Sequence, residues 1–418
     1  MLRADFVIDN AALVATCAGP TPRRGIAQHD ISPVRNASIA ASDGHVLFVG
    51  PSATLAATID VAADAVRVDA TGCTVVPGFV DAHTHVVFAG DRRHELHRRL
   101  AGATYAEIAA DGGGIVRTVE CTRRASEEAL IAATTPRLDE MLACGTTTAE
   151  AKSGYGLTTE SELRQLRVIR ALDHAHPIDL VPTFMGAHEV PVEYRSRRGE
   201  YVQLVVDEML TAVHDEELAE WCDVFCETGV FTPEESRTIL DAGTRMGLKP
   251  RIHADELGKS GGSRVAAAVH ARSADHLLFV DEEGADLMAD ADVCATLLPA
   301  AAFYLKIGRF APARMLIEHG VPVALATDVN PGGGFSPSIP FAMTLGCFAM
   351  RLTLEEALVA ATINGAWSID RADRVGSLEP GKLMDAVIVN GELVDLIRVG
   401  AASIRTVIKR GQVVSDRR

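Results

Sequence analysis

Residues Val75 to His85 read V-V-P-G-F-V-D-A-H-T-H, an apolar run that is interrupted at Pro77-Gly78, resumes, and ends in two histidines one residue apart. Side chains two positions apart on a strand point to the same face. A strand over Val75–Asp81 therefore projects His83 and His85 together from its end. Two imidazoles on one face can grip a single metal ion. Such pairs also occur by chance on surfaces, so the rest of the chain must decide what this one is for.

Seven more short apolar segments follow, at Thr146–Ala151, Leu180–Met185, Cys222–Cys226, Pro250–His253, Arg272–Asp275, Val293–Leu297 and Val323–Thr327. Helix-period segments lie between them. Ser126–Cys144 is opened by Ser126 and stopped by Gly145, and Pro233–Met246 has Thr232 as N-cap with Pro233 at the first turn. Glu160–Ala175 and Ala311–His319 follow the same logic. Eight strand–helix alternations predict an α/β fold, a closed (β/α)8 TIM-like barrel rather than an open doubly wound sheet.

Both ends of the chain differ from this middle. Ala4–Ile8, Ser38–Ala41, His45–Val49 and Ala65–Val68 read as strands, with Asp43-Gly44 as a hairpin signal. Ala386–Val389, Ser403–Lys409 and Gln412–Val414 repeat the pattern at the C-terminus. Residues 1–74 and 372–418 are thus expected to build one small discontinuous β-sandwich domain around a barrel of residues 75–371.

The 418 residues suffice for such a pair of units. An apolar fraction of 48% and a charged fraction of 23% are ordinary for a soluble globular protein, and a net charge of −16 argues against a nucleic-acid partner. The eight cysteines form no C-x-x-C pair, which excludes a zinc ribbon or thioredoxin-type site and suits reduced core thiols in the cytoplasm. No apolar run reaches membrane-spanning length, and Met1–Asn10 lacks the apolar stretch of a signal peptide, so no membrane partner is expected.

Catalytic groups of (β/α)8 barrels sit at the C-terminal ends of the strands. Those ends carry His83 and His85, then Lys152 and Tyr155, His188, Glu227, His253, His276 and, on the eighth strand, Asp328. Other histidines, such as His29, His174 and His319, fall on helices and loops as chance would place them. Two or three imidazoles with one carboxylate hold a divalent ion and leave a position for water. The ion lowers that water's pKa to about 7 in favourable zinc sites. A carboxylate such as Asp328 can take the proton and pass it to a leaving nitrogen. The set points to metal-assisted hydrolysis of a C–N bond.

The segments PGFVDAHTH (77–85), RIHAD (251–255), SADH (273–276) and ATD (326–328) resemble the amidohydrolase superfamily. VVFAGDR (86–92), RLAGATYAEIAADGGGI (99–115), KSGYGL (152–157), TFMGAHEVP (183–191), HADEL (253–257) and ATDVNPG (326–332) are similar, more narrowly, to the imidazolonepropionase family, over nearly the whole chain. The resemblance implies hydrolysis of 4-imidazolone-5-propanoate to N-formimidoyl-L-glutamate by a cytoplasmic homodimer with one zinc or iron ion per site. It further implies His83, His85, His253 and Asp328 as metal ligands. Asp328, His276 and Glu256 would move protons or polarise the substrate. Arg92 would take the propanoate, Tyr155, His188 and Glu256 would line the ring, and Asn330, Gly332 and Gly333 would hold the product's amino-acid end. A guanidinium suits a carboxylate because it can bind it bidentately. Arg93, Arg98 and Arg99 are expected to be solvated surface arginines.

Family members usually have Ser or Thr after Asn-Pro-Gly, whereas this chain continues Gly333-Gly334-Phe335-Ser336-Pro337. Gly333 can then offer only backbone, and Ser336 is the candidate replacement hydroxyl. Lys152 is expected to be a structural or substrate-side cation, and Gly112-Gly113-Gly114 a mobile loop over the rim. Two alternatives stay open: a related hydrolase or deaminase acting on another nitrogen heterocycle, and a non-catalytic scaffold relative. Arg92 with Tyr155 argues against the first, since a neutral base needs no cationic clamp, and the complete ligand set argues against the second, since a scaffold need not keep it.

Overall fold

The structure is a computed structural model and describes residues 2–103, 107, 113–400 and 402–417. Gly112, and with it most of the segment 104–112, lies outside the described residues. Among the described residues, eight parallel strands run in sequence order around a barrel. They are Phe79–Asp81, Thr146–Lys152, Asp179–Ala187, Trp221–Cys226, Lys249–Ala254, Ser273–His276, Cys294–Leu297 and Val323–Leu325. Each pairs with its neighbour in parallel register.

The ring closes by other means. Thr327 donates to Asp81 through its N–H (3.0 Å) and its hydroxyl (2.5 Å). Just beyond, Asp328 N–H donates to the His83 carbonyl at 3.1 Å, and His85 N–H to the Val329 carbonyl at 2.8 Å. The segments carrying the histidine pair and Asp328 therefore make the seam of the barrel.

The helices form where the sequence places them. Helix Glu127–Ala143 starts at Ser126, whose hydroxyl accepts from Ala129 N–H. Helix Pro233–Arg245 has a reciprocal Thr232/Glu235 capping box that satisfies two otherwise orphaned amides. Leu163, Leu166 and Ile169 of helix Thr159–Ala175 share one buried cluster with Leu130, Leu138 and Met141 of the preceding helix. Each such side chain contributes about 1.5–3 kcal/mol by leaving water.

The terminal strands make one continuous, mixed sheet of eight, in the order Gln412–Asp416, Ile404–Lys409, Ala386–Asn390, Cys73–Pro77, Leu2–Ala15, Pro33–Ser42, His45–Pro51, with Ile59–Asp69 beside Leu2–Ala15. It coils over its own core, since Phe6, Ile39, Val68, Ile388 and Ile408 meet in one cluster. The single strand expected over Val75–Asp81 is in fact two. Cys73–Pro77 pairs with Ala386–Asn390 in the terminal sheet, and only Phe79–Asp81 belongs to the barrel. The crossing needs Gly78, where a Cβ would stand 2.2 Å from Thr147 Oγ1. No helix among the described residues is long and apolar enough to cross a membrane.

Candidate active site

His83 and His85 lie on the extended segment after the first barrel strand, both buried, with ring centroids 5.3 Å apart. His253 comes from the fifth strand, His276 ends the sixth, and Asp328 follows the eighth. His83 Nε2 and His85 Nε2 each stand 3.7 Å from Asp328 Oδ1, and His253 Nε2 stands 3.3 Å from His85 Nε2. Ligand atoms about 2.1 Å from an ion at tetrahedral angles are about 3.4 Å apart. His276 and Asp328 make a second such group with His83.

The tautomers follow from carboxylate partners. His83 Nδ1 donates to Asp275 Oδ2 at 2.6 Å, and His253 Nδ1 donates to Asp223 Oδ1 at 3.0 Å. Carboxylates only accept, so the Nε2 lone pairs are left facing Asp328 and one another. Burial, then the Lys152 cation and neighbouring imidazoles, hold His83 far below the ordinary imidazole range. Burial and His188 do the same for His85. Asp328 is pushed well above the carboxylate range by burial and by Glu256.

His83 Nε2 and Asp328 Oδ1 are buried with no hydrogen-bond partner. Neutral nitrogens and a crowded carboxylate, unpartnered and mutually facing, are what a divalent cation would satisfy. His83, His85, His253 and Asp328 fit such an ion. Asp328 (φ 53°) and His276 (φ 74°) hold left-handed backbone, which costs non-glycine residues of order 1–3 kcal/mol each and is a feature of functional sites.

A cavity of about 210 Å³ opens above these groups. His85, His253, His276 and Asp328 form its floor, while His83 lies beneath. Its wall includes the residues expected to contact the substrate, Arg92, Tyr155, His188, Glu256, Asn330, Gly332 and Gly333, but not Lys152 or Glu227. His188 stacks on His85 at 4.9 Å, donates Nδ1–H to the Gly154 carbonyl, and is held neutral, its pKa pushed down to about 3 by burial and by His253. The loop bearing Tyr155 wraps the buried Glu162 carboxyl, which accepts from Gly154, Gly156 and Leu157 N–H. Glu256 lies 3.5 Å from His276 and is raised to about 8 by burial and by Glu227.

Arg92 is buried and held by Glu95, which accepts from Nε at 3.0 Å and Nη2 at 2.8 Å. Glu95 also accepts from Gly114 N–H at 2.9 Å. Asn330 turns its own loop, its Oδ1 accepting from Gly332 and Gly333 N–H.

Two expectations change, and a third narrows. Arg99 is buried, not solvated: it donates to the Gly332 and Tyr304 carbonyls and so anchors the loop that carries Gly332. Ser336 does not line the cavity; its hydroxyl accepts from Ser338 N–H. Lys152 is a structural cation, fully buried inside the barrel between Glu150 (2.8 Å) and Asp223 (2.7 Å). Asp223, Asp275 and Glu189 were not anticipated. Asp223 had one signal, a carboxylate inside an otherwise apolar strand.

Three imidazoles and a carboxylate converging on the rim of a (β/α)8 barrel define a metal-dependent hydrolase. The chain belongs to the amidohydrolase family, whose model matches residues 74–414, and within it to the imidazolonepropionases. It is 45% identical over 419 residues to the imidazolonepropionase of Alkaliphilus metalliredigens, covering 100% of this chain and 99% of that one. It is 50% identical over 388 residues to that of Geobacillus kaustophilus (92% and 91%) and 47% over 419 to that of Symbiobacterium thermophilum (100% and 98%). A zinc-bound adenosine deaminase from Xanthomonas campestris shares the fold with TM-score 0.72 at 19% identity (99% and 93% covered). A triazine hydrolase from Arthrobacter aurescens does so with TM-score 0.74 at 17% (98% and 94%).

Proposed function

We propose that the protein hydrolyses the cyclic amide C–N bond of 4-imidazolone-5-propanoate, giving N-formimidoyl-L-glutamate. The observation that carries this is one cavity lined by a buried arginine and by the His/Asp floor, so that an anionic arm and a reacting carbonyl can be held at once. His83, His85, His253 and Asp328 would hold a divalent ion, zinc or iron, which when bound would supply an acidified water and positive charge for the oxygen that becomes negative.

Arg92 pairs with the propanoate while Glu95 holds its guanidinium in place. Tyr155 and His188 flank the ring, and Glu256 contacts it. His276 polarises the carbonyl. Asp328 takes a proton from the attacking water and returns it to the ring nitrogen as the C–N bond breaks. Carbon gains the oxygen of the new carboxylate, and the nitrogen leaves as part of the formimidoyl group. Asn330, Gly332 and Gly333 border the place where the product's amino-acid end forms.

The family relationship also favours a homodimer in the cytoplasm, and the net charge of −16 disfavours nucleic acid.

The test is to incubate the metal-loaded protein with freshly made imidazolone propanoate. Loss of its ultraviolet absorbance with appearance of formimidoylglutamate is expected. No turnover there, with turnover of a neutral nucleobase, would overturn the assignment.

A further inference from the structure

Lys152 takes no part in the chemistry above, yet it lies at the centre of a buried charge cluster in the barrel. Its ammonium is fully buried and contacts Glu150 Oε1 at 2.8 Å, Asp223 Oδ2 at 2.7 Å and Asp275 Oδ2 at 3.9 Å. Each of these carboxylates leads to a different part of the histidine set. Asp223 turns its other oxygen to His253 Nδ1. Asp275 receives His83 Nδ1. Glu150 Oε2 accepts from Thr84 N–H at 3.1 Å, between His83 and His85. Thr84 is held again by its hydroxyl on the Glu150 carbonyl, and its own carbonyl accepts from Lys152 N–H.

Arg251, also buried, lies 3.3 Å from Asp275 Oδ2 and holds that carboxylate from a second side.

We propose that Lys152 is a positioning residue for the metal centre: acting through Glu150, Asp223 and Asp275, its ammonium orients the ligand histidines His83, His85 and His253. This rests on the assignment of His83, His85, His253 and Asp328 as ligands.

Zinc affinity and stoichiometry are measured by competition with a chromophoric chelator, and ligand geometry by the visible spectrum of the cobalt(II)-loaded protein. Wild type should bind one zinc per chain; failure to bind any sinks the ligand assignment itself. In K152M, zinc should bind about 10–100-fold more weakly, the usual cost of losing an outer-shell partner, and the cobalt spectrum should shift. Wild-type affinity and spectrum in K152M overturn the proposal. Should K152M not fold, K152R decides: its longer, planar head displaces Asp223 and Asp275, so the cobalt spectrum should still change, and an unchanged spectrum overturns the proposal.

Discussion

His83 Nδ1 meets Asp275 Oδ2 at 2.6 Å across 192 residues of chain, and this contact turns His83 Nε2 towards Asp328. Asp275 thereby decides which nitrogen of His83 is free to bind an ion. D275N removes the charge that keeps the proton on Nδ1. Zinc affinity should fall about 10–100-fold, read by chelator competition. Unchanged affinity would remove Asp275 from the site.

Arg92 is the cavity's buried arginine, and its two bonds to Glu95 fix its direction. R92M should raise KM for imidazolone propanoate about 10–100-fold, the worth of a charged hydrogen bond, with a smaller change in kcat. Glu95 loses its cation in that variant, so R92M should also melt earlier, and adding E95Q should recover part of the loss. Steady-state kinetics and thermal denaturation test both; an unaltered KM excludes Arg92 as the carboxylate clamp.

Two adjacent glycines should respond differently to alanine. A Cβ on Gly334 would stand 1.6 Å from the Asp328 carbonyl oxygen, a backbone atom of the proposed ligand. For a Cβ on Gly333 the nearest atoms belong to the flexible Leu305 side chain, at 2.9 Å. G334A should cost more than the about 1–3 kcal/mol of ordinary overpacking and lower zinc content. G333A should cost about 1 kcal/mol. Equal melting points for the two would show that the loop does not depend on this approach.

Glu256 binds its proton more tightly when folded, at about 8, than at its ordinary 4.5. Its protonation therefore stabilises the fold, wholly below pH ~4.5, and the contribution is lost as pH rises through 8. At about 1.4 kcal/mol per unit the effect is a few kcal/mol. The metal-free protein should melt progressively earlier from about pH 4.5 to 8 and level off above that, and E256Q should show a shallower fall. Parallel curves for the two proteins would assign the dependence to another group.

Much of the site was legible because it is written locally. The H-x-H pair, the strand-end position of His253 and His276, and Asp328 after an apolar strand are all short-range patterns. Arg99 was not legible, because an arginine in an R-R-L run reads as solvated until the Gly332 carbonyl, 233 residues away, is placed beside it. The split at Gly78 was hidden for a similar reason. Val75-Val76-Pro77 and Phe79-Val80-Asp81 are one apolar pattern in sequence, and only their partners, Ala386–Asn390 and Thr146–Lys152, separate them.

By itself the sequence determined the alternation of strands and helices, the barrel, and the residue types gathered at its rim, since periodicity and capping act over a few residues. Tertiary structure alone decided which nitrogens face the centre, that Lys152 lies under it, and that the barrel seam is closed by Asp81 and Thr327. Those outcomes depend on charges and hydrogen bonds between residues far apart in the chain, and such pairings leave no period to read.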